Sequence, residues 1–302
     1  MKKGVLADTS LMVVAVIWGS GFIGSKMALD ASYHPFAVMF LRFLIATIII
    51  GIVFYKKLNK ENFKQSLPGI IAGIFLFLGF ATQTVGLLYT TPSNNAFLTA
   101  TNVILVPFIG YLIFKTKPRR ASLIGAFVCF IGIGILTYQG DIALSSGDLL
   151  TLSCAVFFAC HIVCVGYYAK KVDAYFLVFM QMLMATLLSF IALLIFEEQP
   201  FHLYKGIEGF LAVFYLGVFS TCVAFFVQNI AQQYTSATKT AIFLSMESVF
   251  GTLFSVMLGF EPATINMVFG GILIIAAILI TEIKPSLKSK KEEVRTEEVM
   301  EE

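Results

Sequence analysis

The sequence predicts an all-α membrane protein of ten transmembrane helices, built as two inverted five-helix repeats with both termini in the cytoplasm. Composition, the placement of positive charge and an internal repeat carry that prediction. Of 302 residues, 58% are hydrophobic and 13% charged, against about 25% charged in soluble domains, which excludes a soluble enzyme core. A spanning helix takes about 20 apolar residues, so the chain has room for roughly ten spans and little else. A formal charge of +3 gives no footing for nucleic-acid binding.

Apolar runs separated by turn and charge signals mark helices at 8–29, 35–55, 68–89, 92–114, 120–138, 147–168, 173–196, 209–233, 236–258 and 262–282. The first follows Lys2-Lys3 as a secretory leader would, but it continues to Ala28 with no clean small-x-small site and reads as a helix. The second, third, fourth and tenth carry Pro35, Pro68, Pro92 and Pro262 in their first turns, where a missing N–H costs nothing. Pro107 reads as a kink inside the fourth. Arg119-Arg120 opens the fifth, and Lys170-Lys171 separates the sixth from the seventh. An acidic loop around Glu197–Glu208 leads to the eighth, whose boundary with the ninth is blurred by Gln232, Gln233, Thr235, Ser236 and Thr238. Beyond the tenth, 284–302 reads as a charged, disordered cytoplasmic tail.

Alternating the loops between two sides sorts the charge. Lys2, Lys3, Lys56, Lys57, Lys60, Lys64, Lys115, Lys117, Arg119, Arg120, Lys170, Lys171, Lys239 and the basic residues of the tail fall on one side. Of 21 Lys and Arg residues, only Lys26, Arg42 and Lys205 fall elsewhere. By the positive-inside rule that side is cytoplasmic, and a missed span would scramble the pattern.

The chain also repeats. Asp8 falls on Asp148 and Ala46-Thr47 on Ala185-Thr186; further on, Gln83 meets Gln228, Tyr89-Thr90 meets Tyr234-Thr235, Asn102 meets Glu247 and Gly125 meets Gly270. Residues 1–138 and 147–283 are therefore read as two repeats of five helices. Five is odd, so the second enters the membrane from the opposite face. Inverted repeats recur in secondary transporters, with the substrate site near the midplane between them.

Charges at membrane depth are functional candidates by default. Counted from helix ends at 1.5 Å per residue, Glu247 lies close to the midplane, where a carboxylate either exchanges protons or joins helices as a permanently protonated group. His161 is also central, as a second proton-coupling candidate or a hydrogen-bonded core residue. Arg42 sits about 10 Å below the outer end of its helix, placed to hold an anionic group, to pair with Glu247, or to snorkel outward. Asn95, Thr99 and Asn102 share one face of the fourth helix. Gln83 and Gln228, as repeat mates, either bond helix to helix or line a water-filled path. Trp18, the only tryptophan, lies too deep for an interfacial anchor and can wall a cavity.

Three patterns are set aside. Gly19-Ser20-Gly21-Phe22-Ile23-Gly24 fits G-x-G-x-x-G but lies within an apolar helix with no strand before it; close helix packing explains it better. Cys160, His161 and Cys164 lack a third ligand on one face, so no metal is expected, and no cofactor either. The five cysteines read as small helix residues. A polytopic enzyme acting on lipid-linked substrates, the competing class, needs a nucleophile set or paired acids at depth, and none is evident.

At family level the chain resembles the EamA family of the drug/metabolite transporter superfamily. The resemblance rests on WGSGFIGSK (18–26), HPFAVMFLRF (34–43), TQTVGLLYTTPSNNAFLTATNVILVPF (82–108), FFVQNIAQQYTSATKTAIFLSMESVF (225–250) and GFEPATINMVFGGILIIAAILITE (259–282), and spans about 8–282. It implies alternating-access transport of an amino acid, other small metabolite or drug across the cytoplasmic membrane, often coupled to an ion gradient. The arginine matching Arg42 recurs in the family. Two departures stand out: Ser248 replaces the proline that follows the glutamate matching Glu247, removing the usual reason for a helix break there, and Thr116 replaces an acidic residue kept as Glu261 in the second half. The expectation is thus a secondary transporter, not an enzyme, exporting a small-molecule solute with proton or sodium coupling, as a monomer or homodimer in the lipid bilayer.

Overall fold

The computed structural model describes residues 2–137, 145–198, 206–260 and 262–282. The predicted tail, Lys205 and Glu261 lie outside these. Among the described residues every regular element is helical. The segments are α1 (Lys2–Asp30), α2 (Pro35–Val53), α3 (Leu67–Gly86), α4 (Pro92–Phe114), α5 (Arg120–Thr137), α6 (Ser146–Tyr168), α7 (Ala174–Phe196), α8 (Ile207–Ala231), α9 (Ala237–Met257) and α10 (Ile265–Glu282). All but α5 and α10 are long and apolar enough to cross a membrane by length and composition; α5 and α10 are shorter apolar helices. A 3-10 turn at Tyr55–Lys57 and a short helix at Lys60–Phe63 fill the connection from α2 to α3.

Boundaries follow local chemistry. Asp173 caps α7 by accepting the Tyr175 and Phe176 amides, and Ser145 forms a capping box with Asp148 on α6. The helix α1 starts at Lys2, earlier than the apolar run alone indicates, because charged residues near a helix end can stay helical outside the hydrocarbon.

Among the described residues three helices are interrupted, and the sequence indicated none of the three positions. In α4, Pro92–Ala100 and Asn102–Phe114 meet at Thr101, and the helix runs on through Pro107, so the predicted interruption lies earlier than the proline. In α9, Ala237–Leu244 and Met246–Met257 meet at Ser245, so the break near Glu247 exists without the proline. Both junctions share a feature. Thr101 Oγ1 donates to the Leu98 carbonyl and Ser245 Oγ to the Ile242 carbonyl, each at 2.6 Å, a back-bond that competes with the helix's own amides for those carbonyls. In α8, residues Leu216–Val223 are π-helical.

The surface is inverted relative to a soluble protein. Ile52, Leu112 and Phe127 are 69%, 71% and 60% exposed, whereas Asn95, Thr151, Gln181 and Gln228 are fully buried. Apolar groups face lipid, and polar groups face each other.

Packing pairs α2 with α7 and α5 with α10, while α1 lies against α8 and α9 and α6 lies against α3 and α4. Small residues permit the close crossings: a Cβ on Gly19 would stand 2.7 Å from the Gly251 nitrogen, and one on Gly132 would stand 2.8 Å from Leu273 Cβ. The glycines of the G-x-G-x-x-G pattern thus serve helix contact.

Contacts between turns define two ends. At the basic end, Lys57 pairs with Asp173 at 2.8 Å and Lys239 with Asp8 at 2.7 Å. The hydrogen bond to Asp173 raises the Lys57 pKa. Burial works against ionised Asp173, yet bonds from Lys57 and its capped amides leave its pKa lowered. At the other end Thr90 donates to Asp148 at 2.7 Å, and Glu197 accepts the Phe36 and Ala37 amides, capping α2 from the far end of α7. Burial nevertheless pushes the Glu197 pKa up.

Candidate functional site

A cavity occupies the middle of the bundle, with about 580 Å³ of unfilled space including its open side. It runs along α1 from Trp18 to Ser25, toward the end opposite the basic one, and is floored by Ile162 and Gln228. Aromatic walls with a few converging polar groups are the usual character of a small-molecule site.

The elements deliver these groups through their irregularities. In the π segment of α8, the Ala224 N–H reaches back to the Phe219 carbonyl instead of that of Ser220. The Ser220 carbonyl accepts the Trp18 indole N–H at 2.9 Å. Trp18 then packs on Phe225 with ring centroids 4.9 Å apart. Ser220 and Thr221 also hold Arg42: Nε donates to Thr221 Oγ1 at 2.8 Å and Nη2 to Ser220 Oγ at 3.2 Å. The guanidinium lies over the Phe80 ring, 4.3 Å from its centroid. Arg42 is 3% exposed and neither snorkels nor pairs with Glu247.

The helix junctions bring Asn102 and Glu247 to the same cavity, one from α4 and one from α9. Among the described residues, no hydrogen bond or ion pair reaches the Glu247 side chain. His161 also lines the cavity, but its Nε2 donates to Gln181 Oε1 at 2.7 Å and its ring meets Phe225 edge-on. Gln83 Nε2 donates to Thr99 Oγ1 at 2.9 Å, and both border the cavity.

Of the sequence-predicted residues, Trp18, Arg42, Gln83, Thr99, Asn102, His161, Gln228 and Glu247 are brought together. Asn95 is not. It is fully buried, with Nδ2 committed to the Gln83 carbonyl and to Thr151 Oγ1, because its face of α4 turns toward α6. Sequence reasoning missed Ser220, Phe80 and Phe158, ordinary residues of apolar helices that carry no signal of their own. Among the described residues, no group of three His, Cys, Asp or Glu could hold a metal, and the cysteines are free.

A model of the EamA-like transporter family matches residues 5–138 and again 145–283. The chain belongs to this family. It is a multi-pass cell-membrane protein of the EamA transporter type, a setting that implies a small-molecule solute. An "Uncharacterized transporter" of Archaeoglobus fulgidus is 36% identical over 283 residues, covering 93% of this chain and 87% of that protein. The "Uncharacterized transporter YyaM" of Bacillus subtilis is 26% identical over 245 residues, covering 78% and 79%. A solved structure titled "Crystal structure of protein" superposes with a TM-score of 0.75 at 18% identity, over 93% of this chain and 97% of that one, and speaks for the fold alone.

Proposed function

We propose that this EamA protein is a secondary transporter that exports a small polar or amphipathic solute, an amino acid or related metabolite or a drug, by alternating access. Ten spans with cytoplasmic termini form two inverted repeats, 1–138 and 147–283. The observation that carries the reading is the meeting of the two helices broken at a serine or threonine, α4 and α9, at one cavity, where Asn102 and Glu247, repeat mates in the sequence, face the same space. Discontinuous helices at mid-depth are a recurrent way for carriers to present backbone and side-chain groups to a solute.

The roles divide by chemistry. Arg42, fixed by two hydroxyls and an aromatic face, attracts an anionic group on the solute. Trp18, Phe80, Phe158 and Phe225 cover its apolar part. Glu247, which no other side chain among the described residues neutralises, couples the cycle to protons, with His161 the second candidate.

With the basic end taken as cytoplasmic, the conformation described is closed to the cytoplasm. Lys170 Nζ donates to the Thr235 carbonyl and Gln233 Nε2 to the Ala169 carbonyl across that end. Leu29 and Asp30 match Ala169 and Lys170 at the spacing that puts Asp8 on Asp148, and among the described residues no hydrogen bond joins them to the turn 87–90.

The test is flux of a metabolite panel in sealed vesicles containing only this protein, with and without a proton gradient. Gradient-driven uptake into inside-out vesicles is expected for at least one compound, with counterflow on preloading. Flux without counterflow indicates a channel, and no flux of any compound overturns the reading. A Glu247→Gln protein that keeps its full dependence on the gradient removes Glu247 from the coupling role.

A further inference from the structure

The floor of the cavity is tied to the closure of the basic end by side-chain amides. Gln228 borders the cavity from α8, and its Nε2 donates to Gln232 Oε1 at 3.2 Å. Gln232 in turn donates from Nε2 to the Ile162 carbonyl on α6 at 2.9 Å. The approach is close: a Cβ on Gly166 would stand 3.1 Å from Gln232 Nε2 and 3.2 Å from Ala237 Cβ.

Donor and acceptor chemistry fixes the direction of this relay. A backbone carbonyl can only accept, so the contact to Ile162 requires the nitrogen of Gln232. That turns the Gln232 oxygen toward Gln228, which must then offer its own nitrogen. What remains on this cavity-lining residue is an acceptor, Gln228 Oε1, which is buried and has no partner among the described residues. A buried acceptor left unpaired is costly, and chained hydrogen bonds reinforce one another.

We propose that Gln228 is a specificity-determining residue that reads a hydrogen-bond donor on the solute, and that the relay from Gln228 to Gln232 couples this contact to closure of the basic end. The inference rests on the transporter reading in taking the cavity as the solute site. A solute N–H or O–H at Gln228 Oε1 completes the chain and tightens the contact to α6. When α6 withdraws, Gln232 loses the carbonyl that fixes its orientation, Gln228 is free to turn its nitrogen inward, and the donor is no longer preferred. The site thus favours donors while the basic end is closed and releases that preference as it opens.

The test uses the full-length protein in lipid nanodiscs with two aromatic cations, benzylamine, which carries N–H donors, and benzyltrimethylammonium, which has none. Trp18, the only tryptophan, reports occupancy by its fluorescence. Hydrogen–deuterium exchange of residues 162–171 and 231–236 reports closure. Benzylamine is expected to change the Trp18 signal and slow exchange of both segments by about fivefold, the scale of one hydrogen bond. Benzyltrimethylammonium is expected to slow neither, and Gln228→Leu to abolish the benzylamine effect. Gln232→Leu is expected to speed exchange of both segments without any probe, while exchange in α5 and α10 stays as in wild type. Equal protection by the two cations, benzylamine protection that survives Gln228→Leu, a Trp18 signal indifferent to benzylamine, or unchanged exchange in Gln232→Leu overturns the proposal. None of these readouts needs transport, so a protein that moves no solute yet shows the donor effect refutes the transporter reading alone.

Discussion

Arg42 holds a charge in the membrane by satisfying it with neutral partners, two hydroxyls and the face of Phe80. Lysine has neither the fork to reach both hydroxyls nor the planar group to lie on the ring. Arg42→Lys is therefore expected to lower flux of the transported solute by about tenfold, with the thermal unfolding temperature in detergent little changed; equal flux would show that only the charge matters. At the basic end, Asp173 and Lys57 set a pH window. The lowered pKa of Asp173 means that its stabilisation is present above the ordinary carboxylate range and is lost as pH falls through its folded value. The raised pKa of Lys57 means that its stabilisation is present below the ordinary lysine range and is lost as pH rises through its folded value. Between these limits the pair adds a constant increment, and Asp173→Asn is expected to flatten the acid side of a plot of unfolding temperature against pH. That Arg42, His161 and Glu247 lie buried was legible from the sequence, because each falls inside a long apolar run. Their partners were not, since nothing in a one-dimensional pattern says that Ser220 and Thr221 face α2, or that Asn95 turns away from Asn102.

The helices as elements were legible in order and nearly in extent, because the length of an apolar run is set by the thickness of the bilayer. Their interruptions were not. A serine or threonine inside a helix bonds back to a carbonyl in many settings and only sometimes opens the helix, so Thr101 and Ser245 look like their neighbours, whereas Pro107 looks decisive and leaves α4 helical. Ser245→Ala removes the hydroxyl bond at the α9 junction and is expected to make α9 continuous through position 245. That should lower flux more than it lowers stability, as measured by transport beside thermal unfolding; a fully active Ser245→Ala protein would show that the junction is incidental. The glycine crossings carry stability instead. Gly132→Leu inserts a side chain where even a Cβ meets Leu273 and the Gly270 carbonyl. It is expected to cost about 1–3 kcal/mol by overpacking, visible as a lower unfolding temperature.

At the scale of the molecule, the basic end joins its turns through ion pairs and amide-to-carbonyl bonds. Such contacts compete with water for hydrogen bonds. Lys170→Met is accordingly expected to raise labelling of a cysteine placed at Thr235 by a membrane-impermeant maleimide added from the cytoplasmic side; unchanged labelling would show that the Lys170 contact does not hold the end shut. The proposed repeat rests on residues matched in the sequence, yet the helices that carry the matched Gln83 and Gln228 differ. The α3 helix is α-helical throughout, while α8 contains the π-helical stretch at Leu216–Val223. A wide turn amounts to one inserted residue, which rotates everything beyond it by about 100° relative to an uninterrupted helix. Under the inverted-repeat reading, exchanging the two halves then does not regenerate the same molecule. On the proposed alternating-access mechanism, the two end states of the cycle are then unequal in energy even with no solute and no gradient, and such a carrier has an intrinsic resting side.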